Sequence, residues 1–225
     1  MDTPHDDHLT WHPDVLPRVT RKALKFCAAD PWFKDAPWYL AGGTALALQV
    51  GHRKSFDLDF FTHEKDFNQQ VIASHFPTDH WKTERVYQGT LFGELEGAKV
   101  SFISYPFFIA RQPFISYQSI NVLQSRDIGV MKILAMSQRG RKRDFVDLYW
   151  LVHHVEPLRW FMDHLKDQIP DVAHDYHHII KALTYFDDAE KDEMPELNFH
   201  ANWRTIKKFF QDEAKKLARD LLGIS

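Results

Sequence analysis

The sequence predicts an α/β (α+β) chain in two parts: an α/β lobe over residues 1–125 and a helical lobe over 126–225. Three observations carry this. Short runs of β type, apolar or alternating, are confined to the stretch before residue 125. After it, apolar residues recur at helical spacing. The length of 225 residues suits one large domain or two small lobes, at about 150 residues per domain.

The first dozen residues read as a loose tail. Residues 16–29 have helical apolar spacing, with Pro17 acceptable in a first turn. Residues 30–37, with two prolines, read as a loop. Trp38-Tyr39-Leu40 reads as a strand that stops at Gly42-Gly43, and 44–50 as a helix ending at Gly51. Residues 55–62 (SFDLDFFT) alternate and are rich in aromatics, which predicts a strand; 66–76 reads as a helix. Residues 86–95 and 99–107 read as two strands joined at Glu96-Gly97, and 115–123 as another. The helical part follows over 128–137, 144–155, 158–168 and 171–183, then an acidic turn-like stretch, then 203–222. Along that last helix Trp203, Ile206, Phe209, Phe210, Leu217 and Leu221 form a stripe that reads as core packing.

Composition narrows the function classes. A formal charge of −3 excludes a globally basic nucleic-acid coat, although not a local basic patch. Aromatics at 14% exclude disorder along the whole chain. A single cysteine, Cys27, excludes a disulfide scaffold or a thiolate metal cluster within one chain and reads as a buried helix residue. No run approaches the roughly 20 apolar residues of a membrane span. The polar, acidic and histidine-bearing first residues do not resemble a signal or transit peptide, so a cytoplasmic location without membrane attachment is expected. Charge is uneven. Residues 126–143 hold six basic side chains against one acid, and 184–197 hold six acids against one lysine.

The chemistry concentrates in Ala41–Phe61 (AGGTALALQVGHRKSFDLDFF). Gly42-Gly43-Thr44 sits where a strand hands over to a helix. Glycines there let a phosphate approach the backbone, the helix N-terminus offers free N–H groups, and the Thr44 hydroxyl adds a donor. Asp57 and Asp59 are two apart, so on a strand they share a face. Two adjacent carboxylates repel each other unless a cation lies between them, and hard oxygen ligands suit Mg²⁺. Arg53 and Lys54, just ahead, could neutralise phosphate charge.

The pattern Gly43-Thr44, twelve residues, then Asp57-x-Asp59 resembles the signature of the polymerase-β-like nucleotidyltransferase superfamily. With MKILAMSQRGRKRDFVDLYWL downstream, the chain is similar to nucleotidyltransferase toxins of the abortive-infection AbiEii/AbiGii type, which include toxins of type IV toxin–antitoxin systems. Arg143-Asp144-Phe145-Val146-Asp147 matches that family's R-D-x-x-D motif, and Lys132 matches a lysine on the preceding helix. The resemblance runs from about Trp38 to the C-terminus. It implies a nucleotidyltransferase lobe with a small mixed sheet, transfer of NMP from an NTP with release of pyrophosphate, and Mg²⁺ (or Mn²⁺) on Asp57 and Asp59. Gly42, Gly43, Thr44, Arg53, Ser55, Arg143 and Asp144 are implied to bind the nucleotide. Lys132 adds charge at the triphosphate, and Asp144 or Asp147 contacts the base or the acceptor. Expected partners are an RNA acceptor, for example a tRNA end lying on the 139–143 basic run, and an antitoxin encoded nearby.

One position departs from the superfamily. Its third carboxylate, a base on a neighbouring strand, has no counterpart in Lys99–Ser104, where Ser101 stands instead. A serine does not serve as a general base at neutral pH, so Asp147 is the substitute considered. The same departure opens a second reading, a binding module of this fold without transfer. A third is transfer to a small molecule or a protein. His174, His177 and His178 have helical spacing but lack an acid–histidine metal signature and read as surface histidines.

Overall fold

The computed structural model describes residues 9–223. Its centre is a mixed seven-stranded sheet of order β3-β4-β5-β2-β1-β7-β6. The strands are β1 Tyr39–Ala41, β2 Leu58–Thr62, β3 Trp81–Tyr87, β4 Thr90–Leu95, β5 Ala98–Ser104, β6 Ile115–Tyr117 and β7 Ile120–Val122. β2 runs antiparallel to β1 and parallel to β5; β1 runs parallel to β7. The helices are α1 Arg18–Ala29, α2 Trp32–Asp35, α3 Gly42–Val50, α4 Gln69–His75, α5 Ser125–Gln138, α6 Lys142–His154, α7 Leu158–Asp163, α8 Leu165–Gln168, α9 Tyr176–Ala182, α10 Asp187–Glu190 and α11 Trp203–Leu222.

Alternation gives the sheet two unlike faces. On β2, Leu58, Phe60 and Thr62 are buried while Asp59 and Phe61 turn the other way. On β5, Val100 and Phe102 share the face of Phe60. Phe60 stacks on Phe102 with ring centroids 5.3 Å apart, and Phe33 of α2 closes over Phe60 at 4.8 Å. Phe76, after α4, stacks on Trp81 at 5.1 Å. This aromatic side is dry. The opposite side of β2 and β5 carries Asp59 and Ser101, paired in register, and opens into a cleft roofed by α5 and α6. α3 packs against β1, β2, α5 and α6, so a single hydrophobic core joins the sheet to the helices that follow it.

Several boundaries differ from the sequence expectation, each for a local reason. The expected strand 86–95 is two strands, because Gln88-Gly89 turns the chain with Gly89 at φ +65° and Tyr87 pairs with Thr90. The expected strand 115–123 also folds back, at Gln118 (φ +54°), a left-handed residue that no glycine signals. The expected strand 55–62 begins only at Leu58. The backbone before it is engaged sideways: the Thr20 hydroxyl donates to the Phe56 carbonyl at 2.7 Å, and Lys54 N donates to the Glu196 carbonyl. The expected helix 171–183 starts at Tyr176, where the Asp175 carboxylate caps the His178 N–H. The expected helix 158–168 divides at His164 into α7 and α8. Short helices α2 and α10 stand in the expected loop 30–37 and acidic stretch. Of the expected tail, residues 1–8 lie outside the described residues, whereas Trp11 packs edge-on to Tyr117 and His12 N donates to the Leu48 carbonyl.

Other expectations hold. Cys27 is buried in α1. Ile206, Phe210 and Leu217 bury the stripe of α11. His177 and His178 are exposed on α9, whereas His174 departs from the expectation: it precedes the helix, is half-buried, and faces the Ile169 carbonyl through Nε2. Among the described residues no helix is long and apolar enough to cross a membrane. The stacked aromatics set a quantitative expectation. Phe60→Ala empties the centre of the stack and is expected to lower unfolding free energy by about 3–5 kcal/mol, read as a lower urea midpoint at unchanged m-value.

Candidate active site

The site starts at the strand-to-helix junction. Ala41 ends β1 in an extended conformation, and Gly42 at φ +70° turns the chain directly into α3, two residues before the expected helix start. A β-carbon on Gly42 would stand 3.6 Å from the Asp59 carboxylate. On Gly43 it would lie 2.3 Å from a guanidinium nitrogen of Arg53 and 3.4 Å from an Asp147 oxygen. Gly43 is therefore required by side chains packed over it, a reason separate from phosphate access.

Asp147, on α6, is fully buried and holds three partners through four contacts. One oxygen faces His52 Nε2 at 2.7 Å and Arg53 Nε at 2.5 Å. The other faces Arg53 Nη2 at 2.8 Å and Lys132 Nζ at 2.7 Å. Lys132 also donates to Asp144 at 2.6 Å. Burial alone would raise the Asp147 pKa, but Arg53 and Lys132 outweigh it and hold the carboxyl well below its ordinary value. Burial lowers the His52 pKa despite the Asp147 hydrogen bond. A neutral His52 must then carry its proton on Nε2, facing the carboxylate, and its Nδ1 is buried without a partner. Two cations and two anions balance within this cluster.

The rest of the site forms a cleft of about 460 Å³. Gly42, Gly43, Thr44, Arg53, Ser55, Asp57, Asp59, Lys132, Arg143 and Asp144 all line it, together with Ser101. Asp59 is pushed toward protonation, first by burial and further by the charge of Asp57, while the Ser101 hydroxyl opposes the shift. Asp57 precedes β2 rather than belonging to it. Its side chain is 32% exposed and accepts a hydrogen bond from Arg143 Nη1 at 3.3 Å. The Thr44 and Ser55 hydroxyls share a hydrogen bond at 2.8 Å, and Thr44 also bonds the Asp57 carbonyl. These hydroxyls thus hold the Asp57 segment against α3, where the sequence suggested a direct phosphate donor.

Asp147 requires a correction. The sequence suggested that it contacts base or acceptor, or serves as the substitute base. It does not line the cleft, and its two oxygens are occupied by cations and by His52. Asp144, by contrast, lines the cleft and keeps one buried oxygen without a hydrogen-bond partner, with Arg139 Nε 3.7 Å away. The basic run 126–143 is also partly committed. Arg141 grips Asp192 through two nitrogens, and Lys142 donates to the Asp192 carbonyl. Asp192 further caps α6 through the Lys142 N–H.

The chain after Asp192 straps the back of the site. Arg53 bridges to Leu197, Asn198 N donates to the His52 carbonyl at 2.8 Å, and the Asn198 amide reaches the Gly51 carbonyl at 2.7 Å. Sequence reasoning missed His52 and this strap. His52 stands beside Arg53 in a run read for its charge, and the strap joins residues about 145 apart, which no local pattern signals.

Among the described residues, no group of three or more His, Cys, Asp or Glu side chains could hold a metal ion by itself. Asp57 and Asp59 supply two carboxylates, which leaves most of a magnesium ion's coordination to water and substrate oxygens.

The comparisons follow from this geometry. The family model described as "Nucleotidyl transferase AbiEii toxin, Type IV TA system" matches residues 29–94 and 92–221. A protein of Aquifex aeolicus, described as uncharacterized, is 35% identical over 187 residues, covering 80% of this chain and 87% of its own. A crystal structure described as a putative nucleotidyltransferase from Helicobacter pylori superposes with TM-score 0.52 at 18% identity, over 91% of this chain and 98% of that one. MenT4, a nucleotidyltransferase toxin of Mycobacterium tuberculosis, matches with TM-score 0.49 at 15% identity, over 87% and 83%.

Asp147→Asn leaves Arg53 and Lys132 under-compensated in the interior and is expected to cost about 3–5 kcal/mol of stability. The sign with pH follows from the depressed carboxyl. Its stabilisation is fully present above the unfolded value near about 4 and is lost as pH falls through the lower folded value. Urea unfolding from pH 7 downward is expected to show a steeper acid loss in the native protein than in Asp147→Asn.

Proposed function

This chain belongs to the AbiEii nucleotidyltransferase toxin family of type IV toxin–antitoxin systems, and from that premise we propose that it transfers a nucleoside monophosphate from an NTP to an acceptor hydroxyl, with Mg²⁺ (or Mn²⁺) held by Asp57 and Asp59. The observation that carries this reading is the pair of carboxylates lining one cleft with the glycines at the start of α3 and with Arg53, Lys132 and Arg143.

The residues fit a divalent cation. The raised Asp59 pKa reports like-charge crowding with Asp57 as well as burial, and a cation between them relieves that crowding. Both donors are hard oxygens. Such a cation would polarise the α-phosphate and stabilise charge on the pyrophosphate leaving group.

The chain's own groups do the rest. The first N–H groups of α3 have no partners within the helix and point their positive end at the triphosphate. Gly42 carries no side chain on the approach to that backbone, whereas Arg53 packs over Gly43. Lys132 has three donors, two of them on Asp144 and Asp147, so the third is free for a phosphate oxygen. Arg143 and Arg139, half-exposed at 48% and 59%, supply movable positive charge at the mouth. Thr44 and Ser55 act through the Asp57 segment, which they fasten. The unpartnered Asp144 oxygen accepts a hydrogen bond from the bound nucleotide or the acceptor. The acceptor class that sequence suggests, an RNA such as tRNA, stays part of this proposal. A cognate antitoxin follows from membership of the family.

Ser101, in register with Asp59, is the feature that favours the second reading, a module that binds without transferring. Transfer of label from α-³²P-NTPs to RNA, protein and small-molecule acceptors separates the readings. Asp59→Asn is expected to lower transfer by about a hundredfold or more, near 2.7 kcal/mol of transition-state stabilisation. Ser101→Ala is expected to cost less than about tenfold. Equal small losses would show that the carboxylate pair does not drive the reaction. No transfer to any acceptor with Mg²⁺ or Mn²⁺ would favour the binding module.

A further inference from the structure

Asp57 and Asp59 form an unfavourable pair, and the structure shows what compensates them. Arg143 Nη1 lies 3.3 Å from Asp57 Oδ2, on the carboxylate assigned to the cation under the reading above. Four other basic side chains of the cleft and of the 126–143 run are held elsewhere, while Arg139 stands 3.7 Å from Asp144. Arg53 is locked on Asp147, Lys132 bridges Asp144 and Asp147, and Arg141 and Lys142 are bound to Asp192. Arg143 makes one long ion pair from a half-exposed position. Its backbone, in the first turn of α6, is fixed on one side by Asp192 and on the other by Asp147. The side chain is free to move while its origin stays in place.

We propose that Arg143 is an internal cation that occupies the carboxylate site of the nucleotide-free protein and exchanges with the divalent ion. The guanidinium and the ion compete for Asp57, so the ion alone binds weakly. A triphosphate changes the balance. Its oxygens complete the ion's coordination and give Arg143 a better anionic partner, since guanidinium pairs well with phosphate. Arg143 therefore moves from Asp57 to the nucleotide as the ion enters, and ion and nucleotide bind with positive coupling. It rests on the reading of Asp57 and Asp59 as ion ligands, and its test separates the two.

The probe is Mn²⁺, followed by the electron paramagnetic resonance signal of the free ion, with the full chain and no nucleotide. An exposed pair of this kind is worth a factor of about two to five. Arg143→Ala is therefore expected to bind Mn²⁺ alone about two- to fivefold more tightly than the native protein. Adding an α,β-methylene nucleoside triphosphate is expected to tighten Mn²⁺ binding less in the variant than in the native protein. Arg139→Ala, which removes an equally exposed charge that faces Asp144, is expected to change Mn²⁺ affinity less. Unchanged or weaker Mn²⁺ binding by Arg143→Ala overturns the exchange, as does an equal gain in Arg139→Ala, which would mark a general charge effect. Asp57→Asn keeps the two failures apart. If it abolishes Mn²⁺ binding while Arg143→Ala changes nothing, the exchange alone fails. If Asp57→Asn leaves Mn²⁺ binding intact, the ligand assignment fails with it.

Discussion

The carboxylate of Asp147 ties the molecule together. It is one buried charge that three separate stretches of chain must reach: His52 and Arg53 from the loop after α3, Lys132 from α5, and its own α6. A buried anion is tolerated only when its partners are complete, because desolvation otherwise exceeds the attraction. Completing it here fixes where α5 and α6 sit relative to the sheet. It also draws Arg53 across the first turn of α3, which leaves no room for a side chain at Gly43. Glycine at that position is thus demanded by an ion pair.

This arrangement changes the meaning of the R-D-x-x-D motif. Its three charged residues do three different things. Arg143 pairs with Asp57 from a half-exposed position, Asp144 lines the cleft and keeps a buried oxygen without a hydrogen-bond partner, and Asp147 is enclosed by His52, Arg53 and Lys132. The one-turn spacing that puts Asp144 and Asp147 on one helix face is what lets Lys132 join both. A surface lysine would do none of this; Lys132 is buried and pairs with both acids.

Much of the site was legible in sequence because it is local. Gly42-Gly43 and Asp57-x-Asp59 are short spacings read within one stretch, and Arg143–Asp147 stood out by its resemblance to the R-D-x-x-D motif. The two-part pattern of strands then helices was legible for the same reason, since period 2 and period 3.6 are read within a window. What escaped was of two kinds. Tight reversals at Gln88-Gly89 and at Gln118-Ser119 merged pairs of strands, the second because a glutamine takes the left-handed conformation that glycine ordinarily marks. Burial was the other. Nothing beside Asp147 in the chain says that it will be enclosed, and nothing beside Arg141 says that Asp192 will hold it. Spacing identified these residues as important and assigned them to the solvent side of the chemistry, whereas packing decided which side they face.

The strap from Asp192 to Asn198 has a consequence in time. A ribosome delivers this chain from its first residue, so α3, β2 and both aspartates emerge long before the segment that braces them. Until residue 198 is available, the His52 and Gly51 carbonyls lack their partners, and α6 lacks the carboxylate that caps it. Contacts between such distant residues form late, since the loop between them must first close. The frame around Asp57 and Asp59 is therefore complete only once residues 192–198 have joined it. A chain cut or stalled before the strap carries Asp57 and Asp59 without the contacts that brace the loop ahead of them.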